Sequence, residues 1–200
     1  AEVANDLMLN LIRPFVYRRY LDYGVFESVR EMQGLIAAEV RRRELADNVK
    51  LGPGGIREVE FIVQALQLVR GGSKPELQHA ELQSVLPLLV GERGISKQDA
   101  QQIRCAYRYL RRIENFIQAI RDAQTHDLPS SEIDRTRLCL AMNSPDWQHL
   151  LSDLDGHRDV VSKHFYSIAI RGQDNVESES QYFDRLWESQ ASTEQWVEWL

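Results

Sequence analysis

Residues 49–61 read V-K-L-G-P-G-G-I-R-E-V-E-F, and this stretch shows most clearly how the chain is built. Three glycines and a proline stand directly before a segment with helical periodicity. Glycine permits positive φ and lets the backbone approach another surface closely, so the sequence predicts a shaped loop followed by a helix. The first helical turn carries Arg57, Glu58 and Glu60 among apolar residues. We expect the loop to hold these charged groups in a fixed place.

The rest of the chain is dominated by apolar residues at helical spacing, with no sustained strand-like alternation. This pattern predicts an all-α fold, a bundle of six or seven helices with complementary apolar faces. The predicted helices run from Ala1 to about Ile12 with a break or kink at Pro14 and a short turn through Tyr20, from Gly24 to Arg43, from Ile56 to about Arg70, from Glu76 to Val90, from Ser96 to about Gln124, from Ser130 or Ser131 to about Met142, and from Ser144 to near Gly172.

Composition is that of an ordinary globular domain, and the net charge is concentrated at one end. The chain has 200 residues, 43% of them hydrophobic and 27% charged, with a formal net charge of −6. Residues 173–200 contain seven acidic residues and one basic residue, so they account for the whole net charge. An acidic end on a neutral body argues against nonspecific nucleic-acid binding. We predict a helical domain over 1–172, followed over 173–200 by an acidic linker and a terminal helix or the start of another domain.

Cysteine and hydropathy patterns predict a cytoplasmic domain. Cys105 and Cys139 are the only cysteines, and neither belongs to a C-x-x-C motif, so no zinc site or disulfide framework is predicted. No apolar run approaches the roughly 20 residues of a membrane span, so no membrane partner is expected. The chain opens within a helical pattern, as expected of a piece of a longer protein.

Catalytic motifs are hard to find in this sequence. Asp153 and Asp155 spell D-x-D but fall inside a predicted helix, where residues two apart point in different directions. The glycine loop has no following G-K-[ST], so it is not a Walker loop. The five histidines are dispersed. We therefore predict no catalytic residue and no metal ligand.

Two charged constellations remain as binding candidates. The first is the loop and helix start, where the glycines make either a tight turn with solvated charges or a phosphate-facing surface. The second is a stripe of arginines on the helix after Ser96, either a solvated face or a secondary basic wall: Arg104, Arg108, Arg111 and Arg112.

Four segments resemble a known enzyme family. The run K-L-G-P-G-G-I-R-E-V-E-F-I-V-Q from Lys50 to Gln64 resembles the K-L-G-x-G-G-I-R-E-[IV]-E-F-x-x-Q motif of the bifunctional glutamine synthetase adenylyltransferase/adenylyl-removing enzyme. Similar runs are R-P-F-V-Y-R-R-Y-L-D from Arg13, A-A-E-V-R-R-R from Ala37 and Y-R-Y-L-R-R-I-E-N from Tyr107. The resemblance extends from about residue 5 to residue 170. It points to the helical region that follows the N-terminal, deadenylylating catalytic core, without that core's sheet and its D-x-D.

The resemblance implies a function for the parent enzyme and a role for this domain. The parent would use Mg²⁺ and ATP to transfer AMP to a tyrosine of glutamine synthetase, and would remove it by phosphorolysis to give ADP. Expected partners are glutamine synthetase, the PII signal protein and the missing nucleotidyltransferase core; this chain alone is expected to bind no cofactor. It would form one wall of the deadenylylation cleft. The alternative is an interaction module that binds PII or glutamine synthetase.

Site residues follow from the matched motif. The resemblance implies that Lys50 and Arg57 meet phosphate or AMP charge beside the turn at Gly54 and Gly55, and that Glu58 or Glu60 orients one of these cations or a metal-bound water.

Overall fold

The structure is all-α, as predicted. The computed structural model describes residues 6–17, 31, 34–35, 38–40, 42, 45–91 and 95–188, with side chains described only up to 167 and not at 121. Among these residues β-type pairing is limited to two isolated bridges, Asn48 with Asp127 and Val90 with Ile95, so the described chain contains no catalytic sheet.

The described elements have the following order along the chain. They are a π-helix Met8–Ile12, α1 (Arg13–Val16), a 3₁₀ turn Leu45–Asp47, α2 (Ile56–Arg70), a 3₁₀ turn Pro75–Leu77, α3 (Leu82–Val85), a 3₁₀ turn Leu86–Leu89, α4 (Lys97–Arg121), α5 (Glu132–Met142) and α6 (Trp147–Glu188).

The core lies where α2, α4 and α6 pack on one another, with α5 against α4 and α6. Apolar residues at helical spacing supply it, so burial of these faces stabilises the bundle at about 25 cal/mol per Å² of apolar surface. The fully buried side chains include Ile56, Ile62, Ile103, Leu110, Ile113, Leu138, Leu150 and Leu154.

Capping residues explain the predicted boundaries that are confirmed. Helix α2 spans Ile56–Arg70 as predicted, with Gly55 as its N-cap. The hydroxyl of Ser96 accepts a hydrogen bond from the Asp99 N–H at 3.0 Å and starts α4. Ser131 caps α5 in the same way, and that helix ends where Asn143 adopts a left-handed conformation, φ 56°.

The N-terminal prediction needs correction. Pro14 does not break the helix, because the π-helix Met8–Ile12 continues directly into α1. Pro14 stands in the first turn of α1, where a missing backbone N–H is tolerated. The predicted short turn of helix is present over Arg13–Val16, but it ends before Tyr17, which has a non-helical φ of −104° and ψ of 73°. Residues 18–20 lie outside the described residues. Most of the helix predicted from Gly24 to Arg43 lies outside the described residues.

The helix predicted from Glu76 to Val90 is also wrong, since this stretch consists of three short turns. The side-chain amide of Gln67 donates to the carbonyl of Leu77 at 2.6 Å and of His79 at 2.8 Å. These two carbonyls therefore accept hydrogen bonds from a side chain of α2 and not from the backbone of a local helix. Pro87, in the last 3₁₀ turn, removes a further backbone donor.

Helix α6 starts later and ends later than predicted. Its first turn is capped by Asp146, whose carboxylate accepts from the His149 N–H at 2.9 Å, and not by Ser144. The backbone then stays helical to Glu188, well beyond the predicted end near Gly172, so α6 is the longest of the described helices. The division of the chain into 1–172 and 173–200 stays a prediction.

Candidate functional site

The loop before α2 is organised by the side chain of Asn48. Its carbonyl oxygen accepts from the backbone N–H of Lys50 at 3.1 Å and of Leu51 at 2.8 Å, and its amide donates to Asp127 at 2.7 Å. The Val49 N–H donates to the carbonyl of His126 at 2.8 Å. These bonds attach the loop to the segment between α4 and α5, so the loop has a defined shape.

Gly54 lets this loop touch α6. It has a φ of +66°, and a Cβ at this position would lie 2.6 Å from both the Cα and the Cβ of Arg158. A non-glycine residue would meet backbone that cannot move aside. The predicted shaped turn is confirmed, and its glycine faces the bundle's own helix.

Arg158 closes the turn from the α6 side. Its guanidinium donates to the carbonyls of Ala46 at 2.9 Å and Asn48 at 3.1 Å, while its buried Nε has no hydrogen-bond partner among the described residues. Burial lowers the pKa of Arg158, and the charges of Asp155, Asp47 and Glu58 oppose that shift. Arg158 was not predicted from the sequence. A signal exists, because Arg158 stands in the apolar stripe of α6, between Leu154 and Val161.

Glu58 faces this inner side of the loop. Its carboxylate accepts from the Gly54 N–H at 3.0 Å, in a contact similar to a capping box. Burial raises the pKa of Glu58, while the hydrogen bonds from Gly54 and Ser162 and the charge of Arg158 oppose the shift. Glu58 therefore faces α6 and lies apart from Lys50 and Arg57, the two cations with which it was grouped.

Lys50 lies on the outer side, where it meets a residue of the arginine stripe. The carboxylate of Glu114, 3% exposed, is 3.9 Å from the Lys50 ammonium and 2.7 Å from the Arg111 guanidinium. The imidazole Nδ1 of His126 is 3.0 Å from the same carboxylate. The two predicted constellations thus meet at a buried acid. His126 was not predicted, because nothing in the sequence relates it to the loop.

Arg57 and Glu60 lie near this cluster. The Arg57 N–H donates to the carbonyl of Lys50 at 3.1 Å and its side chain is exposed, while Glu60 is half-buried. Glu60 is also close to Tyr107: burial raises the pKa of that phenol, Arg111 opposes the shift, and Glu60 adds to it. Arg57 and Glu60 stand three residues apart on α2, a spacing that allows an ion pair, but no ion pair joins these two side chains in the described part of the chain.

The other three arginines of the stripe have different surroundings. Arg104 donates to Gln101 at 2.6 Å on its own helix, and Arg108 is exposed. Arg112 donates to the carbonyl of Ala141 in α5 at 3.0 Å. Of the four arginines, Arg111 is the one with a described contact to the Glu114 carboxylate.

Metal binding finds no support in the described part of the chain. No group of three or more His, Cys, Asp or Glu side chains there could hold a metal ion. Asp153 and Asp155 are exposed on α6. In addition, none of the described helices is long and apolar enough to cross a membrane.

Together, the fold and the site define a class of protein: an all-helical domain that carries cations on a glycine turn held in place by hydrogen bonds. The chain belongs to the family described as GlnD PII-uridylyltransferase, whose family model matches residues 30–169, more than half of the 200 residues. This family belongs to a group of nucleotidyltransferase enzymes, which confirms the predicted parent class at that level. The matched range includes the glycine turn, the Glu114 cluster and Arg158.

Proposed function

We propose that this chain is the helical domain of the enzyme that adenylylates and deadenylylates glutamine synthetase. In this role it forms one wall of the deadenylylation cleft and is inactive alone. Membership of a nucleotidyltransferase family supports an enzyme of this group as the parent. The motif from Lys50 to Gln64 favours the adenylyl enzyme over its relatives.

The observation that carries the proposal is the way Lys50 is supported. The loop around it is fixed by Asn48 on one side and by Arg158 on the other, while the Lys50 side chain stays 37% exposed. A cation held in advance at a fixed place stabilises negative charge without reorganisation during the reaction. Such a cation suits a substrate phosphate at the edge of a cleft.

The Mg²⁺ ion and the phosphate groups of the proposed reaction would be bound in different places. The described residues do not fit a Mg²⁺ ion, since they contain no cluster of candidate ligands. Magnesium would then be held by the catalytic core. The phosphate of AMP, or the phosphate that attacks it, would lie against Lys50 and Arg57.

The test is the substitution Lys50→Met in the full-length enzyme. Loss of one charge-assisted contact of about 1.5–3 kcal/mol predicts a fall in deadenylylation of about tenfold or more, with adenylylation largely spared. The control is Lys163→Met, which removes an exposed lysine of α6 and leaves both rates unchanged. Full deadenylylation by a folded Lys50→Met enzyme would refute the proposal.

A second candidate is favoured by the family description, which names PII. The domain would then be an interaction module that binds the PII signal protein or glutamine synthetase. Titration of the 200-residue chain with PII, and separately with adenylylated glutamine synthetase, distinguishes the two. A binding module holds one of these partners without the catalytic core, whereas a cleft wall does not.

A further inference from the structure

Glu114 is the most deeply buried acid among the described residues, and it joins three separate parts of the chain. It lies on α4, its partner Lys50 is in the glycine loop, and His126 is in the segment before α5. A buried carboxylate without partners would cost several kcal/mol, so its cationic partners Lys50 and Arg111 explain why Glu114 is tolerated.

The two oxygens of Glu114 are already occupied by other partners. One lies 2.7 Å from Arg111 and the other 3.0 Å from His126. Lys50, at 3.9 Å, is within the range of electrostatic attraction but beyond hydrogen-bond distance. Its ammonium therefore makes no hydrogen bond within the described chain, and its three N–H groups stay available to a ligand. Arg111 is 42% exposed and, within the described chain, uses only one of its N–H groups on the acid.

The fixed charges in direct contact at Glu114 do not cancel. Lys50 and Arg111 supply two positive charges against the one negative charge of the carboxylate. An excess of positive charge beside unused donors is complementary to a small oxyanion, and a lysine and an arginine together suit a phosphate group.

We propose that Glu114 is a positioning residue that holds Lys50 and Arg111 together as one binding site for a phosphate group. The proposal deepens the proposed function, on which it rests for the identity of the phosphate as that of the cleft. In this arrangement Arg111 is a binding residue equal in importance to Lys50. Arg57 contributes less, because no described contact fixes its side chain.

The binding test uses inorganic phosphate and the 200-residue chain at constant ionic strength, followed by amide NMR shifts of the glycine loop. We expect saturable shifts, and an affinity about tenfold lower in Lys50→Met and in Arg111→Met. The matched control is Arg112→Met, which makes the same change one residue along α4 but on the side facing α5. Absence of saturable shifts, or equal weakening by Arg111→Met and Arg112→Met, would overturn the site.

The positioning role is tested with Glu114→Asp. This substitution keeps the charge and shortens the side chain by one methylene, so any loss of affinity comes from position rather than net charge. We expect phosphate affinity to fall several-fold under conditions where the chain remains folded. A purely structural acid would lower the unfolding midpoint and leave the phosphate affinity of the folded chain unchanged, which would refute the positioning role.

Assays of the full-length enzyme separate the two proposals. If Arg111→Met abolishes phosphate binding but deadenylylation is undiminished, the phosphate site stands and the cleft-wall function fails. If the variant binds phosphate normally, the site fails whatever the enzyme's activity.

Discussion

Substitution of Gly54 by alanine is the sharpest test of how the glycine loop meets α6. The added Cβ would lie 2.6 Å from Cα and Cβ of Arg158, where real Cβ atoms do not lie. The φ of +66° also disfavours any residue with a Cβ. Since the obstacle is the backbone of a packed helix, the loop must move, and the contacts of Arg158 with Ala46 and Asn48 move with it.

The magnitude has two contributions. Left-handed φ costs about 1–2 kcal/mol and overpacking costs about 1–3 kcal/mol, so Gly54→Ala is expected to destabilise by about 2–5 kcal/mol. That is a large part of a typical stability of about 5–15 kcal/mol. With a urea m-value of about 3 kcal/mol/M, the unfolding midpoint measured by circular dichroism falls by about 1 M.

Two control glycines separate the contributions. Gly91 has a φ of +145°, and no described atom lies within 4 Å of its Cβ position, so Gly91→Ala reports backbone strain without a clash against the described residues. Gly156 likewise has no described atom within 4 Å of its Cβ position and stands in α6, where alanine is expected to stabilise by about 0.5–1 kcal/mol. If Gly54→Ala costs no more than Gly91→Ala, the close approach of loop and helix is refuted.

Three further predictions concern titration and capping. Because the pKa of Glu58 is raised above its ordinary 4.5, the folded state holds the proton more tightly and this residue's contribution to stability falls as pH rises above about 4.5. In urea unfolding from pH 4 to 7, Glu58→Gln should gain stability relative to the parent chain; a constant difference would contradict this. Burial lowers the pKa of His157 from 6.5, so the parent chain should lose stability as pH falls below about 6.5. His157→Phe should remove that part of the decline, and an unchanged difference between pH 7.5 and 5.5 would count against it. Ser131→Ala should cost about 1 kcal/mol because the α5 cap is lost, whereas Ser130→Ala, next to it and exposed, should cost little; equal midpoints would show that the cap contributes nothing.

Local chemistry explains which parts of the fold could be predicted. Helix α2 is bounded by glycines at both ends, and α4 and α5 begin at serines whose hydroxyls cap them. Each of these signals is contained within a few residues. The turns after α2 depend instead on Gln67, whose amide binds carbonyls ten and twelve residues away, and no periodicity reveals that contact.

The candidate site was predictable in its parts but not in its assembly. Lys50 was predicted from the family resemblance and Arg111 from helical spacing, whereas their convergence on Glu114 depends on how α4 packs against the loop. Glu58 was grouped with the exposed cations because helix geometry alone does not say which side the bundle covers. It turns inward because α6 lies there, with Arg158 in place of an apolar residue.

The length of α6 has a mechanical consequence. At 1.5 Å per residue its 42 residues extend about 63 Å. Arg158, which binds the glycine turn, stands in the first third of this helix, and the backbone stays helical for another 30 residues, from 159 to 188. Because Arg158 donates to the carbonyls of Ala46 and Asn48, the position of the turn is tied to that of a helix several times longer than the turn itself.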